Sequence, residues 1–423
     1  MKKVCIIGGG PTGMRVAEHL STDYNVSIFE KSSKLGGCWK IEWSNSFFTE
    51  HSPRVISTGY TRFFDKIKQY NLQTVPVYNG TTTENRLMFG MYIYSNCSFF
   101  DTMKFLYGIT FYNKNDTRTV QEWMNDKHIS KKGQNGIKKL CIVLATIPEN
   151  LSWAALCEAV RVDSGGLLVN MTSGDEWVRL YEKELIMKGC HIYKNLEIEK
   201  IHTRNDRVTS IRLKGGALIR ADHYVLCIPP FQLYQLLDKS KLELPGWDYP
   251  RILESSYSSI AFQLHFTTKQ NFPGNWCNTC MGDWSIIMLN TSKYYTRFSR
   301  DPRVKDVYSC TIVDTFSKSS RLGKSPNDIV NIDDIKQEAL RQISDRVGYK
   351  IKPYKVTITR GLRRIKGIWQ GKDSAFAITP NGTISQETPY NNLFTVGPHN
   401  LNKISVLEGA FESADLFCEM FKL

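Results

Sequence analysis

The sequence predicts an α/β fold, and three observations carry that prediction. An apolar, β-branched-rich run opens the chain, a glycine-rich turn follows it at once, and a second apolar run closes on an acid. Val4-Cys5-Ile6-Ile7 leads into Gly8-Gly9-Gly10-Pro11-Thr12-Gly13, and Val26-Ser27-Ile28-Phe29 ends at Glu30. Strand, glycine turn, helix and second strand make a βαβ unit, in which parallel strands are joined by a helical crossover.

Each part of the turn has a physical use. Gly8 allows the tight bend, Gly10 lets backbone approach a pyrophosphate, and Gly13 lets the following helix, expected from Met14 to Leu20, pack on the strand. The N-terminus of that helix faces negative charge, so Pro11 and Thr12 count among the contacts. Glu30 stands where a carboxylate grips a ribose hydroxyl, and Lys31 follows it. A glutamate in place of an arginine cluster argues against a 2′-phosphate. The expectation is a Rossmann-type dinucleotide-binding domain.

A second glycine pair comes directly after the acid, in Lys31-Ser32-Ser33-Lys34-Leu35-Gly36-Gly37-Cys38-Trp39. Here the sequence resembles the FAD-dependent amine oxidase superfamily, which includes monoamine and polyamine oxidases, protoporphyrinogen oxidase and phytoene-desaturase-like enzymes. The family pattern at this point is Arg-x-Gly-Gly-Arg; Lys34 and Cys38 replace the two arginines. Three more stretches extend the resemblance. Thr49-Glu50-His51-Ser52-Pro53-Arg54-Val55 is similar to the segment crossing the flavin in the desaturase-like branch. Asn195 to Ile201 resembles the strand whose backbone meets the adenine. Asn392-Leu393-Phe394-Thr395-Val396-Gly397 and Glu408 to Ala414 resemble the closing strand and the flavin-facing final helix.

The resemblance implies a glutathione-reductase-like FAD-binding domain with an interleaved α+β substrate domain. It implies noncovalent FAD, because no cysteine stands near Trp369 to attach it. Gly36, Gly37, Cys38, Trp39, Pro53, Arg54, Ile198, Gly397 and Glu408 are the further contacts it implies. A final helix beginning near Val406 would aim its positive end at the flavin's pyrimidine side.

The interleaving divides the chain into residues 1–60, 170–230 and 355–423 for the cofactor and 61–169 and 231–354 for the substrate. A helix is expected from the Thr172-Ser173 cap through Met187. Strands are expected at His191–Lys194, Ile198–Arg204, Val208–Leu213, Ala217–Ile219 and Tyr224–Ile228, the last stopped by Pro229-Pro230. In the substrate domain a helix should start at Thr119, another should fill Asp334–Val347, and Ser259–Phe266 alternates as a half-buried strand. A small-molecule substrate is expected between the domains, over the flavin.

At 423 residues the chain can form two domains with real cores. The first strand starts almost at Met1, which leaves no room for a signal peptide, so a cytoplasmic protein is expected. Eleven cysteines without regular spacing suit free thiols in a reducing compartment, and Cys277-Asn278-Thr279-Cys280 lacks a partner pair at zinc-site spacing. No nucleic-acid-binding module is legible. The net charge of +14 favours an anionic partner surface such as a membrane, with the run Arg360 to Lys366 as its densest part.

Flavin chemistry needs a substrate carbon held in a dry site rather than a catalytic triad. Amine-oxidising relatives carry a lysine near the flavin on the strand corresponding to Ser259–Phe266, and this strand has none. The reading is therefore an FAD-dependent oxidoreductase acting on an amine or on an apolar, desaturase-type lipid, with His51 as candidate polar group beside the ring. The alternative is a structural or interaction protein on a flavoprotein fold whose redox role is reduced or lost.

Overall fold

Val4-Cys5-Ile6-Ile7 has no polar position to offer water, and the structure buries it on both sides. The computed structural model describes residues 1–77, 96–144, 146–164, 166–244, 259–272, 278–280, 282–371, 384–401 and 407–421. In it β1 (Lys3–Ile7) is the centre of a five-stranded sheet, flanked by β2 (Asn25–Glu30) and β12 (His223–Leu226). The edges are β8 (His191–Lys194) and β20 (Leu393–Thr395), giving the order β20-β12-β1-β2-β8 with every pairing parallel.

Alternate residues of these strands enter different cores. Val4, Ile6, Val26 and Ile28 face helices Pro11–Leu20, Glu176–Met187 and Leu407–Phe421, where Met14, Trp177 and Phe411 are fully buried. Cys5, Ile7 and Phe29 face the other layer. That layer is the antiparallel sheet β9 (Ile198–Arg204), β10 (Arg207–Leu213) and β11 (Leu218–Ile219), with helix Pro230–Ser240.

A second five-stranded sheet is antiparallel. Its order is β14 (Asn278–Cys280), β15 (Ile286–Asn290), β16 (Asp306–Ile312), β13 (Ile260–Phe266) and β17 (Lys355–Ile358), and helix Ile332–Val347 shares its core. The expectation of a half-buried β13 is corrected here, because every residue of the strand is buried. Ile260, Phe262, Leu264 and Phe266 pack in the sheet's own core. The polar alternates meet protein instead of water: the Gln263 side-chain amide donates to the Glu50 carbonyl at 2.9 Å, and His265 Nε2 lies 3.1 Å from Thr357 Oγ1. The partner surface is the hairpin β3 (Glu42–Ser44) and β4 (Phe47–Thr49), whose Phe47 ring meets His265 edge-on.

Helices Phe99–Thr110, Val120–Asp126, Lys131–Val143 and Trp153–Ser164 form a separate layer around Trp123, stacked on Trp153 with ring centroids 3.7 Å apart. Thr119 and Glu122 close a reciprocal cap on the second of these, where the sequence starts a helix. Smaller pieces are the sheet β5 (Ile56–Ser57), β7 (Leu168–Met171) and β6 (Thr74–Pro76), and the hairpin β18 (Arg363–Ile365) and β19 (Ile368–Gln370).

Several expected boundaries move. The helix expected from Thr172-Ser173 begins at Glu176, because Asp175 spends its carboxylate on the Ile41 N–H, 2.7 Å away, and Ser173 supplies only its carbonyl. The division at residue 355 cuts through the second sheet, since β17 pairs with β13. Helix Thr61–Gln69 and all but the first residue of Pro230–Ser240, which the expected division gives to the substrate domain, pack in the cores of the parallel sheet through Phe63 and Ile67 and through Leu233, Leu236 and Leu237.

Candidate functional site

At the C-terminal ends of β1 and β12, where the strand order reverses, a cavity of about 480 Å³ opens. Its floor is the first turn (Gly8, Gly10, Pro11 and Thr12) and the end of β2 (Glu30 and Lys31). Its walls are Gly37 to Trp39, His51 to Val55, Leu196 to Glu199 and Gly397 to His399. Ile287, Leu289 and Thr311, from β15 and β16, reach it from the second sheet.

The turn is built by backbone constraints. Gly8 has φ +104°, and a Cβ there would lie 2.5 Å from the Cys227 carbonyl oxygen; a Cβ on Gly13 would lie 2.0 Å from the Gly8 oxygen. Gly10 differs. Its φ is −75°, open to any residue, and its nearest protein atom would be the Gly37 Cα at 4.0 Å. That is no more than ordinary contact, and Gly10 lines the cavity, which fits the close approach of a ligand. The helix Pro11–Leu20 has no side-chain cap, so its first-turn N–H groups remain for an anion. The second glycine pair locks onto the first: the Gly36 N–H donates to the Gly9 carbonyl at 2.7 Å, and Gly37 turns with φ +55° against Gly10. Gly13 and Gly36 shape the cradle without lining it.

Glu30 is buried at the cavity edge. Its two carboxylate oxygens accept from the Gly9 N–H at 2.9 Å and the Ser32 N–H at 2.8 Å, which fixes the turn and leaves lone pairs for a hydroxyl. Arg54 lines the cavity, but its guanidinium is largely engaged by protein. Its guanidinium donates to the carbonyls of Trp39 (2.6 Å), Lys40 (3.0 Å) and Cys38 (3.4 Å), and its Nε sits 3.0 Å from Glu50. It braces the segment Cys38–Lys40 that lines the cavity. Burial pushes the Glu50 carboxyl up to about 7, against the pull of Arg54.

Glu408 is corrected. It is absent from the cavity lining, and its carboxylate accepts the Arg62 and Phe63 N–H groups at 3.1 and 3.2 Å, capping helix Thr61–Gln69. The closing helix borders the cavity through Leu407 and Ala410 instead. Lys31, Cys38, Trp39, His51, Pro53, Ile198 and Gly397 all line it.

The sequence reading missed Gln232, Gln235 and Lys239, which line the cavity from one side of helix Pro230–Ser240. Their spacing of three and four residues was the available signal. Arg363 was read as surface charge; it lines the cavity and stands 5.1 Å over the Phe231 ring. Arg360 and Arg364 of the same run donate to the carbonyls of Trp43 and Asn327, both at 2.6 Å, so this run is no unengaged basic patch. The strand searched for a lysine, β13, does not reach the cavity; the β15 and β16 residues that do are Ile287, Leu289 and Thr311. Cys277 lies outside the described residues, and the described cysteines are free thiols, with burial raising Cys141 and Cys227.

Comparison with known proteins agrees with this architecture. Residues 6–70 match the family model of the NAD(P)-binding Rossmann-like domain, and no curated protein matches in sequence. Among solved structures, an oxidoreductase from Methanosarcina mazei superposes with a TM-score of 0.66 at 14% identity, over 99% of this chain and 100% of that one. Putrescine oxidase bound to putrescine gives 0.67 at 12%, over 100% and 99%. Cyclohexylamine oxidase from Brevibacterium oxydans gives 0.62 at 12%, over the whole of both chains. The fold is thus shared with these proteins along the full length of the chain, with a Rossmann-type parallel sheet at residues 6–70 and beyond.

Proposed function

We propose that the protein is an FAD-dependent oxidoreductase whose substrate lies between the parallel sheet and the β15–β16 surface. One observation carries the reading: the bare backbone of Gly10, free of any steric demand from the protein, lines the cavity beside an uncapped helix N-terminus and the Glu30 carboxylate. FAD, when bound, supplies the acceptor for a hydride from a substrate C–H bond. The chain's part is binding and exclusion. The first turn of Pro11–Leu20 would hold the pyrophosphate, Glu30 the ribose and backbone at Ile198 the adenine. Trp39, Pro53 and Gly397 line the cavity and would hold the ring, with His51 the polar side chain that would lie near it.

Ile287 and Leu289 make the facing surface apolar, and Leu144 and Leu168 extend it. That favours an apolar substrate, either an amine with a hydrocarbon body or a desaturase-type lipid, held dry against the ring. The test is the absorption spectrum of the purified protein, then anaerobic reduction by putrescine, cyclohexylamine and polyprenyl lipids. A flavin spectrum is expected, with FAD released on acid precipitation as a noncovalent cofactor. A colourless protein that takes up no added FAD would leave a binding or structural role on this fold. A flavin that no substrate or chemical reductant reduces would do the same.

A further inference from the structure

Helix Phe99–Thr110 buries Phe105 and Ile109 in the core of its layer, yet its outer side is also apolar. Phe99 is 62% exposed, Phe100 74%, Met103 52%, Leu106 41% and Tyr107 68%; Phe111, just past the helix, is 70% exposed. Steps of three and four residues place these side chains on one stripe. A contiguous exposed apolar face on a folded domain marks an interaction surface.

The stripe is presented by a firmly held helix. Ser98 caps it, accepting from the Asp101 N–H at 3.2 Å, and buried Asp101 accepts in turn from Ser98 Oγ and from the Ser130 N–H and Oγ, at 2.6, 3.1 and 2.5 Å. Asp101 thereby ties the first turn to the start of helix Lys131–Val143. Positive charge flanks the stripe on the side of helix Lys131–Val143. Lys104 lies on the helix with its Nζ 2.8 Å from the Lys127 carbonyl, Lys127 pairs with Asp126 at 3.2 Å, and Lys131 and Lys132 are exposed at the start of the helix tied to it. The neighbouring carboxylates Asp116 and Asp126 are engaged by Arg118, at 2.7 and 2.9 Å.

We propose that this face docks the protein on an anionic bilayer surface. Aromatic and aliphatic side chains flanked by lysines match the acyl boundary and the anionic headgroups together. A second copy of the chain fits less well, since a two-fold interface on this face would bring two sets of these lysines together while the nearby Asp116 and Asp126 are already paired. Leu144, just past the end of helix Lys131–Val143, lines the cavity, so one helix connects the docking face with the site. The proposal rests on the surface alone and stands or falls apart from the flavin reading.

The experiment is cosedimentation with vesicles of phosphatidylcholine alone and of phosphatidylcholine with phosphatidylserine, at low and high salt. Wild type is expected to sediment with the acidic vesicles and to release as salt rises. The triple variant Phe100→Ser, Tyr107→Ser, Phe111→Ser removes exposed groups only, so circular dichroism should be unchanged while binding weakens by about tenfold or more. Lys131→Glu with Lys132→Glu should lower binding to acidic vesicles alone. Failure of wild type to sediment with them, or full retention by the triple variant, overturns the proposal. A dimer in sedimentation velocity that the triple variant abolishes also overturns it, by assigning the face to a second copy.

Discussion

Gly8 and Gly10 stand two residues apart and are glycines for different reasons. Gly8 is demanded by the protein, through φ +104° and the Cys227 carbonyl; Gly10 is demanded only by what enters the cavity. Gly8→Ala should therefore destabilise the fold by roughly 1–3 kcal/mol, read from urea unfolding. Gly10→Ala should leave the unfolding midpoint of the apoprotein near wild type and weaken FAD by about tenfold or more, read by fluorescence titration. Equal effects of both on stability would refute the distinction. Glu30→Ala should weaken FAD by roughly 1.5–3 kcal/mol through the lost ribose contact. It should also loosen the apoprotein, because the Gly9 and Ser32 N–H groups lose their acceptor. An apoprotein of unchanged stability would remove the bracing role. Spacing made these residues legible, since a turn and the acid after it are local. Arg54 and Glu408 were legible as polar positions but not as roles, because the carbonyls and N–H groups that consume them lie on segments the sequence does not place.

Among elements, the edge-like alternation of β13 reads as a half-buried strand, and it misleads because the polar face meets another protein layer. His265 sits on that face, and burial holds it down to about 4. In the unfolded chain a histidine titrates near 6.5, as a rough reference. Between those values the unfolded state binds a proton that the folded state refuses. Its contribution is therefore complete above about 6.5 and falls by roughly 1.4 kcal/mol per pH unit as pH drops towards 4. His399, held down to about 3 by burial, acts in the same direction; Glu50, pushed up to about 7, acts in the opposite one. His265→Gln keeps a polar group beside Thr357 and should flatten its share of the slope between pH 7.5 and 5, measured by urea unfolding. An identical slope in wild type and variant would take His265 out of the account. The strands His191–Lys194 and Ile198–Arg204 were legible to the residue, because alternation and the Asn205-Asp206 turn are local signals.

For the whole molecule, the order of segments was legible and the closure was not. The parallel sheet draws β1, β2, β8, β12 and β20 from positions 3 to 395, and motifs at both ends of the chain announced it. The surface facing it comes from β15 and β16, whose antiparallel pairing carries no marker of which strand meets the cavity. The cavity is consequently shared: Glu30 and Gly10 belong to one sheet, Ile287, Leu289 and Thr311 to the other. A ligand filling it contacts both and binds neither when they separate, so it stabilises them together. With FAD at 100 times its dissociation constant the gain is about 2.7 kcal/mol. Differential scanning calorimetry should show one transition that moves up with FAD and not with equimolar NAD, since the second glycine pair and the facing sheet go unused by NAD. Two transitions, of which FAD moves only one, would show that the cofactor touches the parallel sheet alone. The β15–β16 surface would then cover something other than a flavin.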